Sequence, residues 1–298
     1  MLTSCHFIVN PVSGSGRAKK DFERVRAMLD EAGVQYTCAY TDHPKHAVEL
    51  TKAAVAEGAG VIVAVGGDGT VNEVASVLGG TDVILGILPF GTGNDFSQAF
   101  RIPKDTEGAV QALLNGVPRK VDAARGNGCP YINVAGFGFD VDVVKYTEKY
   151  KKRLNGMLPY LLGIFQSLMH LKPVTVTITP DEGEPFEEDI LLFAACNGVQ
   201  YAGGIRISPL ADPADGLLDI CLVRSVKLLR LLKLLPTVIK GKHLSSPHIV
   251  YFKARKVEVD APAGMELDFD GELSGSTPVT FEVMPGALTL LLPPAEKN

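Results

Sequence analysis

Val61-Ile62-Val63-Ala64-Val65-Gly66-Gly67-Asp68-Gly69-Thr70-Val71-Asn72-Glu73 decides how this chain is read. An apolar, β-branched run stops at a glycine-rich turn holding one carboxylate, and a helical pattern follows. Glycine takes positive φ without steric cost and brings bare N–H groups against an anion, and the next helix adds its positive end. The segment therefore suits a nucleotide phosphate. Its plainer meaning is a tight strand-to-helix connection in which Asp68 caps the helix.

Outward from this turn, the first 122 residues alternate strand and helix patterns. Phe7-Ile8-Val9 precedes a helix over about 17–32, Tyr36 to Tyr40 one over about 45–56, and Val61 to Val65 one over 71–78. Val83 to Leu88 leads to a short helix after Asn94, then a helix over about 105–114 and a strand from Val117 to Val121. Short apolar runs separated by helices predict a parallel sheet covered on both faces. Ligands of such sheets lie at the strands' carboxyl ends. Four punctuated loops fall there: Asn10 to Gly16, Thr41-Asp42, the Gly66 turn, and Pro89-Phe90-Gly91-Thr92-Gly93-Asn94-Asp95.

After Asp122 the texture changes. Arg125-Gly126-Asn127-Gly128 reads as a hairpin turn, and strand patterns follow at 174–179, 190–196, 217–223, 249–259 and 279–283. They predict an antiparallel sandwich interrupted by helical stretches at 141–171 and 227–240. The domain boundaries expected are 1–123 for an α/β unit and 124–285 for the β unit, with a tail of about 286–298 returning to the first.

Composition narrows the function. A net charge of −5 over 298 residues argues against general nucleic-acid binding. Five cysteines without a CxxC spacing predict a reducing cytoplasm and no thiolate zinc site. The N-terminus lacks the pattern of a signal peptide, and no window reaches the roughly 20 apolar residues of a membrane span. His6, His43, His46, His170, His243 and His248 are scattered, with no Gly-x-Ser-x-Gly elbow or H-E-x-x-H run, which discourages hydrolase chemistry. No Walker sequence is present, and Ser13-Gly14-Ser15-Gly16 fits a dinucleotide fingerprint poorly.

Seven ordered motifs resemble the diacylglycerol kinase catalytic-domain family of soluble bacterial lipid kinases, which includes the sphingosine kinases. They are Asn10-Pro11, Gly66 to Glu73, Pro89 to Asp95, Asn133-Val134-Ala135-Gly136-Phe137-Gly138-Phe139-Asp140, Asn197-Gly198 with Tyr201-Ala202-Gly203-Gly204, Asp215-Gly216-Leu217-Leu218-Asp219, and Asp270-Gly271-Glu272. The resemblance implies an α/β nucleotide domain similar to NAD kinases and phosphofructokinases, then a β-sandwich domain, with the active site in the cleft between them. It also implies ATP and Mg²⁺ as cofactors.

Carried residue by residue, the resemblance suggests that Asn10, Thr41, Gly66, Gly67, Asp68, Gly69, Thr70, Val71, Asn72 and Thr92 line the ATP site. Asp68 would act through Mg²⁺ or its bound water. Asp270 and Glu272, alone a plausible turn, become candidates for the base that takes the proton of an attacking hydroxyl. How they divide that work stays open here. Asp212, Asp215 and the Leu217 carbonyl match a magnesium site outside the catalytic centre, with a solvated hairpin loop as the alternative.

The sequence thus points to an ATP- and Mg²⁺-dependent kinase converting diacylglycerol to phosphatidic acid, peripheral at the inner membrane face. Phosphatidylglycerol, a sphingoid base or a polyol are alternative acceptors, and a nucleotide-binding regulator without transfer is the alternative from another class. For lipid contact, Lys145, Lys149, Lys151, Lys152 and Arg153 with Tyr146 and Tyr150 are the better candidate, with a solvated helix face as the alternative. The apolar residues from Leu228 to Ile239, with Lys227, Arg230, Lys233 and Lys240 between them, make a basic amphipathic helix that could rest on anionic headgroups, but burial of the leucines against the sandwich is the favoured expectation. Family members resembling this chain are often dimers through the second domain.

Overall fold

The computed structural model describes residues 2–151, 154 and 158–294. The chain divides into two compact units. One joins the chain up to Ala123 to the return segment from Met284, and the other is Ala124–Val283.

In the first unit, β1 (Ser4–Val9), α1 (Arg17–Glu31), β2 (Gln35–Tyr40), α2 (His46–Ala56), β3 (Val61–Gly66), α3 (Asp68–Leu78) and β4 (Ile84–Pro89) alternate. Then come α4 (Asp95–Ala99), α5 (Thr106–Leu114) and β5 (Val117–Gly126), which leads into the second unit. β1 pairs in parallel with β2 on one side and β3 on the other, and β3 pairs in parallel with β4. The closing strand Val279–Leu292 adds Thr289 and Leu290 to β4, also in parallel. Successive side chains of a strand face opposite ways, so Phe7, Val9, Val63, Val65 and Leu88 meet Phe22, Val25, Leu29, Val110 and Leu113 of α1 and α5. The chain goes from β1 to β2 on one side and then crosses to β3 on the other. The carboxyl ends of β1 and β3 therefore flank a reversal of strand order, the usual crevice of such sheets.

The second unit is mainly antiparallel. β6 (Cys129–Tyr131) closes a hairpin with β5, pairing Gly126 with Cys129 across the Asn127-Gly128 turn. β7 (Val134–Gly138), α6 (Phe139–Lys151), α7 (Leu158–Met169), β8 (Val174–Pro180) and β9 (Phe186–Cys196) follow. The rest is β10 (Leu218–Arg224), α8 (Leu228–Ile239), β11 (Ile249–Ala254), β12 (Lys256–Asp260), β13 (Glu266–Phe269), β14 (Glu272–Ser276) and β15 (Val279–Leu292). Within this unit the order runs β14-β13-β7-β9-β8-β12-β15, with β10 and β11 continuing from β9. Phe137, Phe193, Phe281 and Ile220 fill one core, and helices α7 and α8 cover another with Leu168, Leu231, Leu234 and Val238.

Two expectations need correction. The stretch at 141–171 is two helices, and that at 249–259 is two strands broken at Arg255. The chain is α/β, with an N-terminal parallel-sheet unit of alternating strands and helices and a C-terminal β-sandwich unit.

Candidate functional site

In the first unit the loops after β1, β3 and β4 are pressed together backbone to backbone. Asn10 N donates to the Val65 carbonyl at 2.9 Å, and Asn10 Nδ2 donates to Thr70 Oγ1 at 3.1 Å. The β1 and β3 ends are thereby tied. Gly66 must be glycine for the same reason, since a Cβ there would lie 2.6 Å from Thr70 Oγ1. On the other side, a Cβ on Gly91 would sit 2.2 Å from Gly67 Cα. Asn94 closes the Gly91 loop upon itself: its Oδ1 accepts from Gly91 N at 3.0 Å and its Nδ2 donates to the Gly91 carbonyl at 2.9 Å.

Asp68 Oδ1 accepts from Phe96 N at 3.2 Å, so it caps α4 rather than the helix that it begins. Burial and then the neighbouring Asp95 raise its pKa, while the N–H groups of Phe96, Asn94 and Asp95 oppose them. Thr41 N is held by the Val9 carbonyl at 2.9 Å, Val71 is buried, and Gly69 and Thr92 are exposed. Asn72 Oδ1 is buried without a partner among the described residues, an acceptor directed at no protein donor. The loops holding Asn10, Gly66 to Asn72 and Thr92 converge, and the Thr41 loop adjoins them through β1.

Glu73 closes the Gly66 motif, and the sequence alone assigns it no role. Its carboxylate accepts from Lys45 N at 3.2 Å and Ala47 N at 3.1 Å, capping α2. Between these, Asp42, His43 and His46 bring ligand atoms within 4.8 Å of one another, a set able to hold a cation. Scattered histidines gave no hint of it, because the turn after β2 creates the approach. The set stands beside Thr41, at the edge of the loops that would take a phosphate. Imidazole suits borderline metals, whereas Mg²⁺ prefers oxygen.

In the second unit three motifs meet. Asp270, at φ 53°, accepts from Ile132 N (2.8 Å), Asn133 N (3.0 Å) and Val134 N (2.8 Å). The Asn133 carbonyl accepts from Asn197 N and Gly198 N, both at 2.8 Å, and Asn197 Nδ2 donates to the Ile132 carbonyl at 2.8 Å. Asn133 and Asn197 thus frame the turn that carries Glu272, whose side chain is exposed. Both asparagines open motifs of the resemblance, but the sequence alone assigns neither a role. Their interest lies in being polar yet buried at strand ends, which sequence shows only once strands are placed.

Beneath this turn lie two buried carboxyls. Burial, then the Asp140 charge, pushes Asp268 up to about 8, and burial pushes Asp140 up to about 7. Asp268 Oδ1 accepts from Gly271 N at 2.8 Å, so it also fixes the turn. A raised folded-state pKa means that the folded chain holds its proton more tightly. The contribution is therefore full below the ordinary value near 3.8 and is lost as pH rises toward about 8. Asp268→Asn should flatten that decline, whose slope per group is bounded at about 1.4 kcal/mol per pH unit. Denaturant unfolding of both proteins between mildly acid and mildly alkaline pH checks this, and parallel curves would refute it.

The Asp212 loop carries hard oxygen donors. Asp212 Oδ1 accepts from Ala214 N at 3.1 Å, and Asp215 Oδ1 from Leu217 N at 3.0 Å. Lys253 Nζ reaches Asp215 Oδ2 at 2.6 Å and Asp219 Oδ2 at 3.3 Å. An ammonium already balances these carboxylates.

Lys145 is paired with Glu266, so it belongs partly to the fold. Lys152 and Arg153 lie outside the described residues. Among the described residues no helix is long and apolar enough to cross a membrane.

Comparison with known proteins agrees with this geometry. The diacylglycerol kinase catalytic domain matches residues 4–125, and the YegS C-terminal NAD kinase beta sandwich-like domain matches residues 133–292. A diacylglycerol kinase of Bacillus subtilis (strain 168) is 32% identical over 277 residues, covering 92% of this chain and 91% of that protein. One of Mycobacterium tuberculosis is 33% identical over 292 residues, covering 96% and 94%. The crystal structure of a Bacillus anthracis str. Sterne diacylglycerol kinase superposes with a TM-score of 0.77 at 25% identity, covering 98% and 97%. An NAD kinase of Archaeoglobus fulgidus in complex with ATP shares the fold alone, at a TM-score of 0.57 and 14% identity over 98% and 94% of the two chains. Matched along nearly its whole length in both units, the chain belongs to the diacylglycerol kinase catalytic-domain family, a family of lipid kinases.

Proposed function

We propose that this chain transfers the γ-phosphoryl group of ATP to the free hydroxyl of diacylglycerol, giving phosphatidic acid and ADP, at the cytoplasmic face of a membrane. The observation that carries this is the end-to-end match to diacylglycerol kinases, 33% identity over 96% of the chain in one case. It is supported by two independent sets of residues suited to the two halves of the chemistry. The amides of the Gly66 and Gly91 loops hold the triphosphate, with Asn10, Thr41, Thr70, Val71, Asn72 and Thr92 around them.

The residues present fit a magnesium ion. The Asp68 carboxylate and the partnerless Asn72 Oδ1 are oxygen donors of the kind that holds it, directly or through water. Bound with the nucleotide, Mg²⁺ supplies charge neutralisation on the transferring group. Asp270 positions: three amides use its oxygens, which favours a fixed anion over a proton carrier. Glu272 takes the proton of the lipid hydroxyl as its oxygen attacks the γ-phosphorus and the bond to the β-phosphate oxygen breaks. Orientation and charge supply most of the rate.

The second-unit magnesium ion requires displacement of the Lys253 ammonium from Asp215. We propose a weak site there, and Lys253→Met should tighten Mg²⁺ binding several-fold in calorimetry. Unchanged binding would leave the loop a simple ion-paired turn.

The test is transfer of labelled phosphate from ATP with Mg²⁺ into mixed micelles, with diacylglycerol, phosphatidylglycerol and a sphingoid base offered in parallel. Label in phosphatidic acid supports the proposal. Label in another acceptor keeps the kinase and changes its substrate, and ATP binding with no transfer at all favours the regulator.

A further inference from the structure

Helix α8 is left unused by the phosphoryl-transfer residues, and its surroundings are unusual in charge. No Asp or Glu occurs between Asp219 and Glu258, yet that stretch holds nine of the chain's 29 Lys and Arg residues. A chain of net charge −5 has thus gathered about a third of its cations where no acid of the same segment offsets them. Arg224, Lys253 and Lys256 are spent on Glu188, Asp215 and Glu258. The cations of α8 itself are in no ion pair among the described residues.

The helix carries three bands. Leu231, Leu234 and Val238 are buried and pack on Cys221, Val223 and Ile207. Leu228, Leu229, Leu232 and Ile239 form a second apolar stripe further round the helix, exposed by 42%, 76%, 45% and 42%. Arg230, Lys233 and Lys240 border that stripe on its outer side, all exposed. Burial of the leucines, the favoured expectation, thus holds for Leu231 and Leu234 and not for Leu228, Leu229 and Leu232. A helix with only a core to cover needs one apolar stripe. A second copy of the chain seated symmetrically here would bring the same cations against each other. A surface with an apolar interior and anionic headgroups accepts both bands.

We propose that α8 lies in the interface of an anionic bilayer, with Leu228, Leu229, Leu232 and Ile239 at the acyl boundary and Arg230, Lys233 and Lys240 against lipid phosphates. The choice of a bilayer as partner rests on the lipid-kinase reading above, to which this adds the surface that meets the substrate's membrane.

The experiment is co-sedimentation of the full chain with vesicles of phosphatidylcholine alone and with about a third phosphatidylglycerol. The chain should partition onto the anionic vesicles and be released as salt rises. Leu229→Ser with Leu232→Ser should lower partition at least tenfold. Arg230→Gln with Lys233→Gln should lower it by about tenfold or more, since each cation is worth about fivefold at a charged surface. Both variants alter exposed side chains and should keep the parent's unfolding curve and its transfer to a monomeric short-chain diacylglycerol. Partition intact with transfer absent from every acceptor would remove the kinase reading and leave the docking surface standing. Parent-like partition in the leucine variant overturns the proposal. So does loss of partition accompanied by a change from dimer to monomer in light scattering, which would assign the stripe to a second copy.

Discussion

Glu272→Gln is expected to bind ATP as the parent does and to transfer phosphate about 10² to 10⁴ times more slowly, the range for removing a general base. The amide keeps the shape of the side chain and its place at the start of β14 but has no basic oxygen. Because Glu272 is exposed, folding should be unaffected, within about 0.5 kcal/mol. Asp270→Asn should behave differently. Asparagine can offer only its carbonyl oxygen to the three amides at residues 132–134, so its loss should appear in stability as well as rate. Equal rate losses with unchanged stability in both variants would mean that the two carboxylates share the proton, and an active Glu272→Gln protein would remove Glu272 from the chemistry. Single-turnover transfer with a separate ATP titration distinguishes these results.

The sequence carried the α/β half well because the central parallel strands, buried on both faces, read as unbroken apolar runs, with β1 running into Asn10 and β3 ending at Gly66. β1 to β4 and their helices lie within about three residues of the expected bounds, whereas β5 runs on from Val121 to Gly126, into residues expected to be turn. The second unit was legible where strands alternate, as in Val174 to Thr179, and obscure where they are short or glycine-rich. β7, Val134–Gly138, reads as a loop motif because two of its five residues are glycine, yet a Cβ on Gly136 would be 2.1 Å from the Phe193 carbonyl oxygen. The close packing that demands glycine is visible only when β9 lies beside it.

Site chemistry was legible in residue type more than in partnership. Asp68 was read either as a magnesium carboxylate or as the cap of its own helix, and its partner is the next helix, α4, reached through the fold. The left-handed Asn94 and the buried Asp268 carry no distinctive local pattern. Their roles come from what the β4 and β13 turns bring against them. Helix α8 failed in the opposite way: its leucines are plain in sequence, but periodicity alone does not separate a stripe that faces a core from one that faces outward.

Two glycines of the nucleotide loops should separate fold from ligand. Gly91→Ala places a methyl group 2.2 Å from Gly67 Cα and 2.9 Å from Gly67 N, against backbone that has no side-chain freedom with which to yield. The loops must part, so destabilisation of about 1–3 kcal/mol is expected together with weakened ATP binding. Gly69 differs: nothing lies within 4 Å of its added Cβ, and it stands inside the first turn of α3. Gly69→Ala should therefore stabilise the empty protein by roughly 0.5–1 kcal/mol, the ordinary gain of alanine over glycine in a helix. If the loop amides cradle the triphosphate, the same methyl group enters the space that the phosphates need, and ATP affinity should fall at least tenfold, about 1.4 kcal/mol. A more stable protein that binds ATP less well has only one physical source, a ligand pressed against that backbone. A Gly69→Ala protein that is more stable and binds ATP like its parent would move the phosphates away from this turn and undo the assignment of Gly66 to Asn72.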